Sequence, residues 1–161
     1  MVTVNELDAL EVFNEFSGEQ KKKIAAISRK KKMKKGEDVY LSRYRASRLF
    51  VVISGRVDLQ AVNEDKMVGV SLGTLSDGQL FGGASILKLQ AYTITAVCLA
   101  DTELLLIESN DLFEAISEDY ELGYRIMKKV AEVYLARYET TKKQLHDMVN
   151  TPQVVITAQP G

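Results

Sequence analysis

Apolar residues recur at helical spacing over residues 5–30. Leu7, Leu10, Val12, Phe13 and Phe16 form a first stripe, and Ile24, Ala25 and Ile27 a second. Ser17-Gly18 breaks the pattern. Ser17 with Gln20 three places on has the form of a capping box, so the segment predicts two short helices. From Met33 to Ile107 the period shortens, and β-branched and aromatic residues alternate with polar ones. Strands are expected at 38–41, 49–53, 56–62, 68–72, 94–99 and 102–107. Turn signals at Gly36, Ser54-Gly55, Asn63-Glu64-Asp65 and Asp77-Gly78 separate them. Strands this short and regular fold as an antiparallel roll or barrel. Helical spacing returns at Ser109, where Ser109-Asn110-Asp111 offers capping side chains. A longer helix is predicted over 120–148, with Leu122, Ile126, Val130, Val133, Tyr134, Tyr138, Leu145 and Met148 apolar and no proline inside it. At the rise of an α-helix it is roughly 40 Å long, more than one face of a small roll covers. Part of its stripe needs another partner, and a second copy of the same helix is the simplest one, so a homodimer is expected. Tyr124, Tyr134 and Tyr138 are anchors of the type that interfaces use.

Composition narrows this picture by exclusion. The 161 residues, 46% apolar and 27% charged, suit one soluble domain. We expect that domain over 1–148 and a flexible tail over 149–161. The tail holds two prolines and the run Val154-Val155-Ile156, which offers an added strand as an alternative. No apolar run reaches the roughly 20 residues needed to span a bilayer, so no membrane partner is expected. The start MVTVNELDALEVF lacks the basic-then-apolar form of a secretory signal, which makes the cytoplasm the expected location. Cys98 is the single cysteine, set in an apolar run with no basic neighbour, and reads as a small buried hydrophobe. His146 is the single histidine. A metal site of several imidazoles is therefore excluded within one chain, and so is a Ser/His/Asp or Cys/His set in a cleft. No catalytic residue, metal or cofactor is expected. The net charge of −1 gives no global attraction to nucleic acid. The basic stretches Lys21-Lys22-Lys23, Arg29-Lys30-Lys31-Lys32 and Lys34-Lys35 read as a solvated helix end and strand face.

Four phrases, in order, resemble the cyclic-nucleotide-binding domain family of catabolite-activator-type transcription factors, kinase regulatory subunits and gated channels. Lys35-Gly36-Glu37-Asp38-Val39-Tyr40 is similar to its first glycine turn and strand. Leu49-Phe50-Val51-Val52-Ile53-Ser54-Gly55-Arg56-Val57-Asp58-Leu59 is similar to its LYxIxxGxVxL phrase. Leu75-Ser76-Asp77-Gly78-Gln79-Leu80-Phe81-Gly82-Gly83 resembles the approach to its phosphate-binding cassette, and Asp101-Thr102-Glu103-Leu104-Leu105-Leu106-Ile107 its last strand. The resemblance covers roughly residues 8–145. It implies a mainly β fold with flanking helices: a double-stranded β-helix, or jelly roll, of about eight strands, with N-terminal helices and a long C-terminal helix. It also implies a ligand site at the cassette, with Phe81, Gly82, Gly83, Ala84, Ser85, Tyr92 and Thr93 as binding residues and Arg137 reaching in from the long helix.

The chain departs from the family where the ligand chemistry lies. Nucleotide-binding members open the cassette with Phe-Gly-Glu, the glutamate accepting from the ribose hydroxyl, and place an arginine further on for the cyclic phosphate. Here Gly83 stands at the glutamate position and Tyr92 at the arginine position. A buried phosphate needs such a cation, and arginine suits it by its planar donor fork. The usual Gly-Asp turn is replaced by Arg43-Tyr44, in a segment that also holds Arg45 and Arg48. Transcription-factor members continue into a helix-turn-helix domain, which this sequence lacks, so DNA binding by that route is not expected. The expectation is a non-enzymatic regulatory module with a degenerate cassette, acting by dimerisation, by binding another small ligand, or through a protein partner. The alternative is a true cyclic-nucleotide sensor in which Arg137 or Arg45 replaces the missing arginine.

Overall fold

A computed structural model describes residues 2–63, 69–87 and 89–150. Two short helices, α1 (Val4–Asp8) and α2 (Gly18–Ile27), open the chain around a 3-10 turn at Glu11–Phe13. The capping box at Ser17 forms as expected: the Gln20 amide donates to Ser17 Oγ at 3.2 Å, and the Ser17 amide to Gln20 Oε1 at 3.1 Å. Eight strands follow: β1 (Ser28–Met33), β2 (Asp38–Tyr40), β3 (Arg48–Ser54), β4 (Val57–Val62), β5 (Gly69–Leu75), β6 (Leu80–Phe81), β7 (Thr95–Cys98) and β8 (Thr102–Glu108). They form two antiparallel four-stranded sheets, ordered β1-β8-β3-β6 and β2-β7-β4-β5. This is the expected mainly β jelly roll. It is closed by α3 (Ser109–Glu118) and α4 (Tyr120–Asn150).

The structure corrects the sequence reading at several points. The helical segment does not run to residue 30. Ser28 leaves the helix with extended dihedrals, its hydroxyl donates to the Ile24 carbonyl at 2.6 Å, and Arg29–Lys32 pair with β8 instead. Those four basic residues are exposed along an edge strand, which hides its alternation and shields the edge with charge. The two-residue β6 was not expected. In α3 the N-cap is Glu108 without a side-chain bond, so the Ser109-Asn110-Asp111 cap is not formed. Residues 64–68 and 151–161, which include part of one expected turn, Val68 and all of the expected tail but Val149 and Asn150, lie outside the described residues; those two continue α4.

β3 is the wall between two cores. It is apolar throughout its middle because both of its faces are covered. Leu49 and Val51 face α1, α2, α3 and α4 together with Leu105 and Ile107, while Phe50 and Val52 face the inside of the roll with Val57, Leu59, Phe81 and Leu104. Each such burial contributes about 1.5–3 kcal/mol. α4 docks only by its first half. Leu122, Gly123, Ile126 and Val130 are buried, whereas every residue from 138 to 150 is exposed. Gly123 permits the close approach of α3, since an added Cβ would lie 2.7 Å from Ile116 Cγ2.

The β3–β4 turn requires glycine for two reasons. Gly55 has φ 110°, and a Cβ there would lie 2.7 Å from the Asp101 carbonyl oxygen and from Thr102 Cα. Gly55→Ala is therefore expected to destabilise the fold by about 2–4 kcal/mol. Gly36 also has a left-handed φ, 86°, but open space around it. Gly36→Ala should cost only about 1 kcal/mol, and urea denaturation of the two variants side by side checks the contrast.

Candidate functional site

The cassette begins where β6 ends. Gly82 turns the chain with φ 82°, and a Cβ there would lie 2.8 Å from the Arg48 carbonyl oxygen. Gly83–Ser85 then form a single 3-10 turn. Ser85 is buried, and its hydroxyl donates to the Gly82 carbonyl at 2.9 Å. The amides of Ser85, Ile86 and Leu87 donate to the carbonyls of Gly82 or Gly83. The polar groups of Ser85 are thus satisfied within the turn. Phe81, Gly82, Gly83, Ala84 and Ser85 are all buried.

Gly83, at the position where a glutamate is expected, lies beneath α4. A Cβ on it would sit 3.0 Å from Tyr134 Cε2 and 3.1 Å from Val130 Cγ1. The helix occupies the space into which a side chain at 83 would project. Tyr92, at the arginine position, is 5% exposed and points inward. Its ring stacks on Tyr40 with centroids 3.8 Å apart, beside Phe50 and Phe81. Its hydroxyl accepts from the Arg48 amide and donates to the Arg48 carbonyl, both at 3.0 Å. Burial pushes the Tyr92 phenol up, and that of Tyr40 further. Tyr92 therefore bridges the core to the start of β3. Thr93 is exposed, and its carbonyl accepts from the Ser42 hydroxyl at 3.3 Å.

The arginines divide by position. Arg43 takes the left-handed turn of its loop with φ 72°, and its amide donates to the Tyr92 carbonyl. Arg48 pairs with Glu108 at 2.6 Å. Arg45 is exposed on a backbone bridge to Ala91. Arg137 is the one that reaches the interior. It lines a cleft of about 350 Å³ between β4, β5, the β5–β6 turn and α4, walled by Leu59, Leu75, Leu80, Val133 and Ala136. Its Nε and Nη2 atoms are buried and have no hydrogen-bond partner among the described residues. Its Cζ lies 5.8 Å from the Tyr134 ring centroid. Burial lowers its affinity for the proton, and the Tyr40 and Tyr134 hydroxyls oppose that shift. The other cation on the cleft, Lys129, is paired with Glu15 and Glu132, each at 3.2 Å.

Of the residues expected to bind ligand, only Arg137 lines this cleft. Phe81 to Ser85 form the cassette floor under α4, Tyr92 is in the aromatic core, and Thr93 is outside. Two contributors were missed: Tyr134, as the cover of Gly83, and the apolar wall from β4 and β5. The first was legible, because Val130, Val133, Tyr134 and Arg137 follow the i, i+3, i+4, i+7 spacing of one helix face.

A family model described as cyclic nucleotide-binding domain matches residues 30–119. The chain belongs to this family. Among curated proteins, none matches. Solved structures do. A candidate cyclic nucleotide-binding protein from Geobacter metallireducens GS-15 is 25% identical, with a TM-score of 0.74 over 86% of this chain and 99% of that one. The c-di-GMP-responsive global regulator CLP of Xanthomonas campestris is 19% identical, with a TM-score of 0.73 over 84% of this chain and 66% of that one. The catabolite activator protein of Thermus thermophilus is 22% identical, with a TM-score of 0.67 over 86% of this chain and 62% of that one. The last two likenesses concern the fold. Among the described residues, no helix is long and apolar enough to cross a membrane.

The contact of α4 with residue 83 is directly testable. Gly83→Glu should destabilise the protein by about 2 kcal/mol or more, because it forces Tyr134 and Val130 aside. Tyr134→Ala in the same chain should recover part of that loss. A double-mutant cycle by denaturant unfolding is expected to give a coupling of about 1 kcal/mol.

Proposed function

We propose that this chain is a non-enzymatic regulatory module in which the cassette no longer holds a cyclic phosphate. Its small-ligand site is the neighbouring cleft at Arg137, and α4 carries the response to a second copy of the chain. The observation that carries this reading is the fate of the two family anchor positions. Gly83 lies under Tyr134 and Val130, and Tyr92 is bonded to the Arg48 backbone within an aromatic stack. Neither position offers a free side-chain group to a ribose or a phosphate. Arg45 is exposed away from the cleft, which leaves Arg137 as the cation available to a bound anion.

The dimer reading rests on the apolar side chains that α4 leaves exposed. Tyr124, Leu135, Tyr138, Leu145 and Met148 are each at least 60% exposed. Exposed apolar side chains along a projecting helix are the kind of surface that coiled-coil pairing covers. Val130 is not part of it, since it is buried in the chain's own core.

Two measurements test the reading. Calorimetry against cyclic AMP and cyclic GMP is expected to show no binding at millimolar nucleotide. Micromolar binding that disappears in Arg137→Gln would instead establish a cyclic-nucleotide sensor. Sedimentation equilibrium is expected to show a dimer that Leu135→Asp with Leu145→Asp weakens at least tenfold, without lowering the thermal stability of the roll. Val130→Asp is expected to unfold the protein, at a cost of about 3 kcal/mol or more.

A further inference from the structure

The guanidinium of Arg137 has one edge formed by Nε and Nη2, whose N–H bonds run parallel. Both atoms are buried and neither has a partner among the described residues. Side-on, this edge is the half of the guanidinium that matches two oxygens of a single carboxylate or phosphoryl group. Leaving both donors unpaired in the interior is costly, more so because the group is charged. The nearby carboxylates do not relieve it: Glu132 is held by Lys129, and Asp77 accepts from the Gly55 amide at 3.0 Å.

The rest of the cleft limits what can bring the missing oxygens. Its inner wall is aliphatic, from Leu59, Leu75, Leu80 and Val133, and around it stand Glu11, Asp77 and Glu132 against one further cation, Lys129, which Glu15 and Glu132 already pair. The wall favours an apolar body, and those carboxylates disfavour a second negative charge. We infer that the cleft binds a monocarboxylate with an aliphatic body, its two oxygens gripped side-on by Nε and Nη2 of Arg137. Arg137 lines the cleft but its fork is buried, so ligand capture requires a turn of this flexible side chain that brings the fork to the ligand. This inference rests on the cleft being the ligand site.

Octanoate is the probe, with octanamide as its uncharged analogue and octyl phosphate as its more highly charged one. Calorimetry should show octanoate binding at least tenfold tighter than octanamide and tighter than octyl phosphate. Arg137→Gln should weaken octanoate at least tenfold, and Arg137→Lys, which keeps the charge but not the fork, should recover only part of the loss. Independently of any ligand, Arg137→Met should raise the melting temperature of the free protein, because it replaces an unpaired buried charge with an apolar chain of similar length. Equal binding of octanoate and octanamide, or octanoate binding indifferent to Arg137, would overturn the carboxylate assignment while leaving a ligand in the cleft. Preference for octyl phosphate through Arg137 would overturn the carboxylate in favour of a phosphoryl group. A lower melting temperature for Arg137→Met would make Arg137 a structural residue and overturn the inference outright. If none of the three probes binds the native protein, the inference and the cleft reading fail together.

Discussion

Val130 and Tyr134 rest on the bare backbone of Gly83, and the organisation of the site follows from that contact. With no side chain at 83, α4 settles directly on the cassette and closes the roll where the family's ribose-binding glutamate would stand. The same closure places Arg137 one turn further along the helix, over the interior, and lets Tyr134 lie against it. The rest of the docking reinforces the geometry. Lys128 and Lys129 pair with Glu15, and Arg125 donates to the Glu15 carbonyl, so the first half of α4 is tied to the N-terminal helices. Those pairs are partly exposed to solvent, and such pairs contribute little each. They orient the helix more than they stabilise it, and the apolar stripe from Leu122 to Val130 supplies most of the docking energy.

A second constraint is the burial of Tyr92, the residue aligned with the family's other anchor position, in the core. Tyr92 brings a large ring into the stack with Tyr40, Phe50 and Phe81 and satisfies both backbone groups of Arg48 with one hydroxyl. An arginine in that place would need an anion to justify its burial, whereas a tyrosine does not. Arg137 presents the opposite case. It is a buried cation whose Nε and Nη2 have no partner among the described residues, held on a helix that also carries exposed apolar side chains.

Much of this was legible in the chain. Four phrases in order identify the roll, and the glycines that punctuate them mark its turns, Gly55 for reasons of both φ and space. The departures at Gly83 and Tyr92 were visible as letters. The elements that escaped are those whose local pattern is weak. β1 carries four consecutive exposed basic residues, so no alternation marks it, and only its ladder with β8 makes it a strand. β6 is two residues long and exists through its pairing with Phe50 and Val51.

What the sequence determined by itself is the fold and which residues, Gly83 and Tyr92, stand where the family phrases locate its anchor positions. What only the tertiary structure decided is what fills the places those anchors would occupy, and where the remaining cation points. A glycine reads the same whether the space beside it is open or taken by a tyrosine some fifty residues away. An arginine reads the same whether its fork is solvated, paired or alone. Those differences are set by the approach of α4 to the roll, a long-range packing arrangement that local periodicity does not encode.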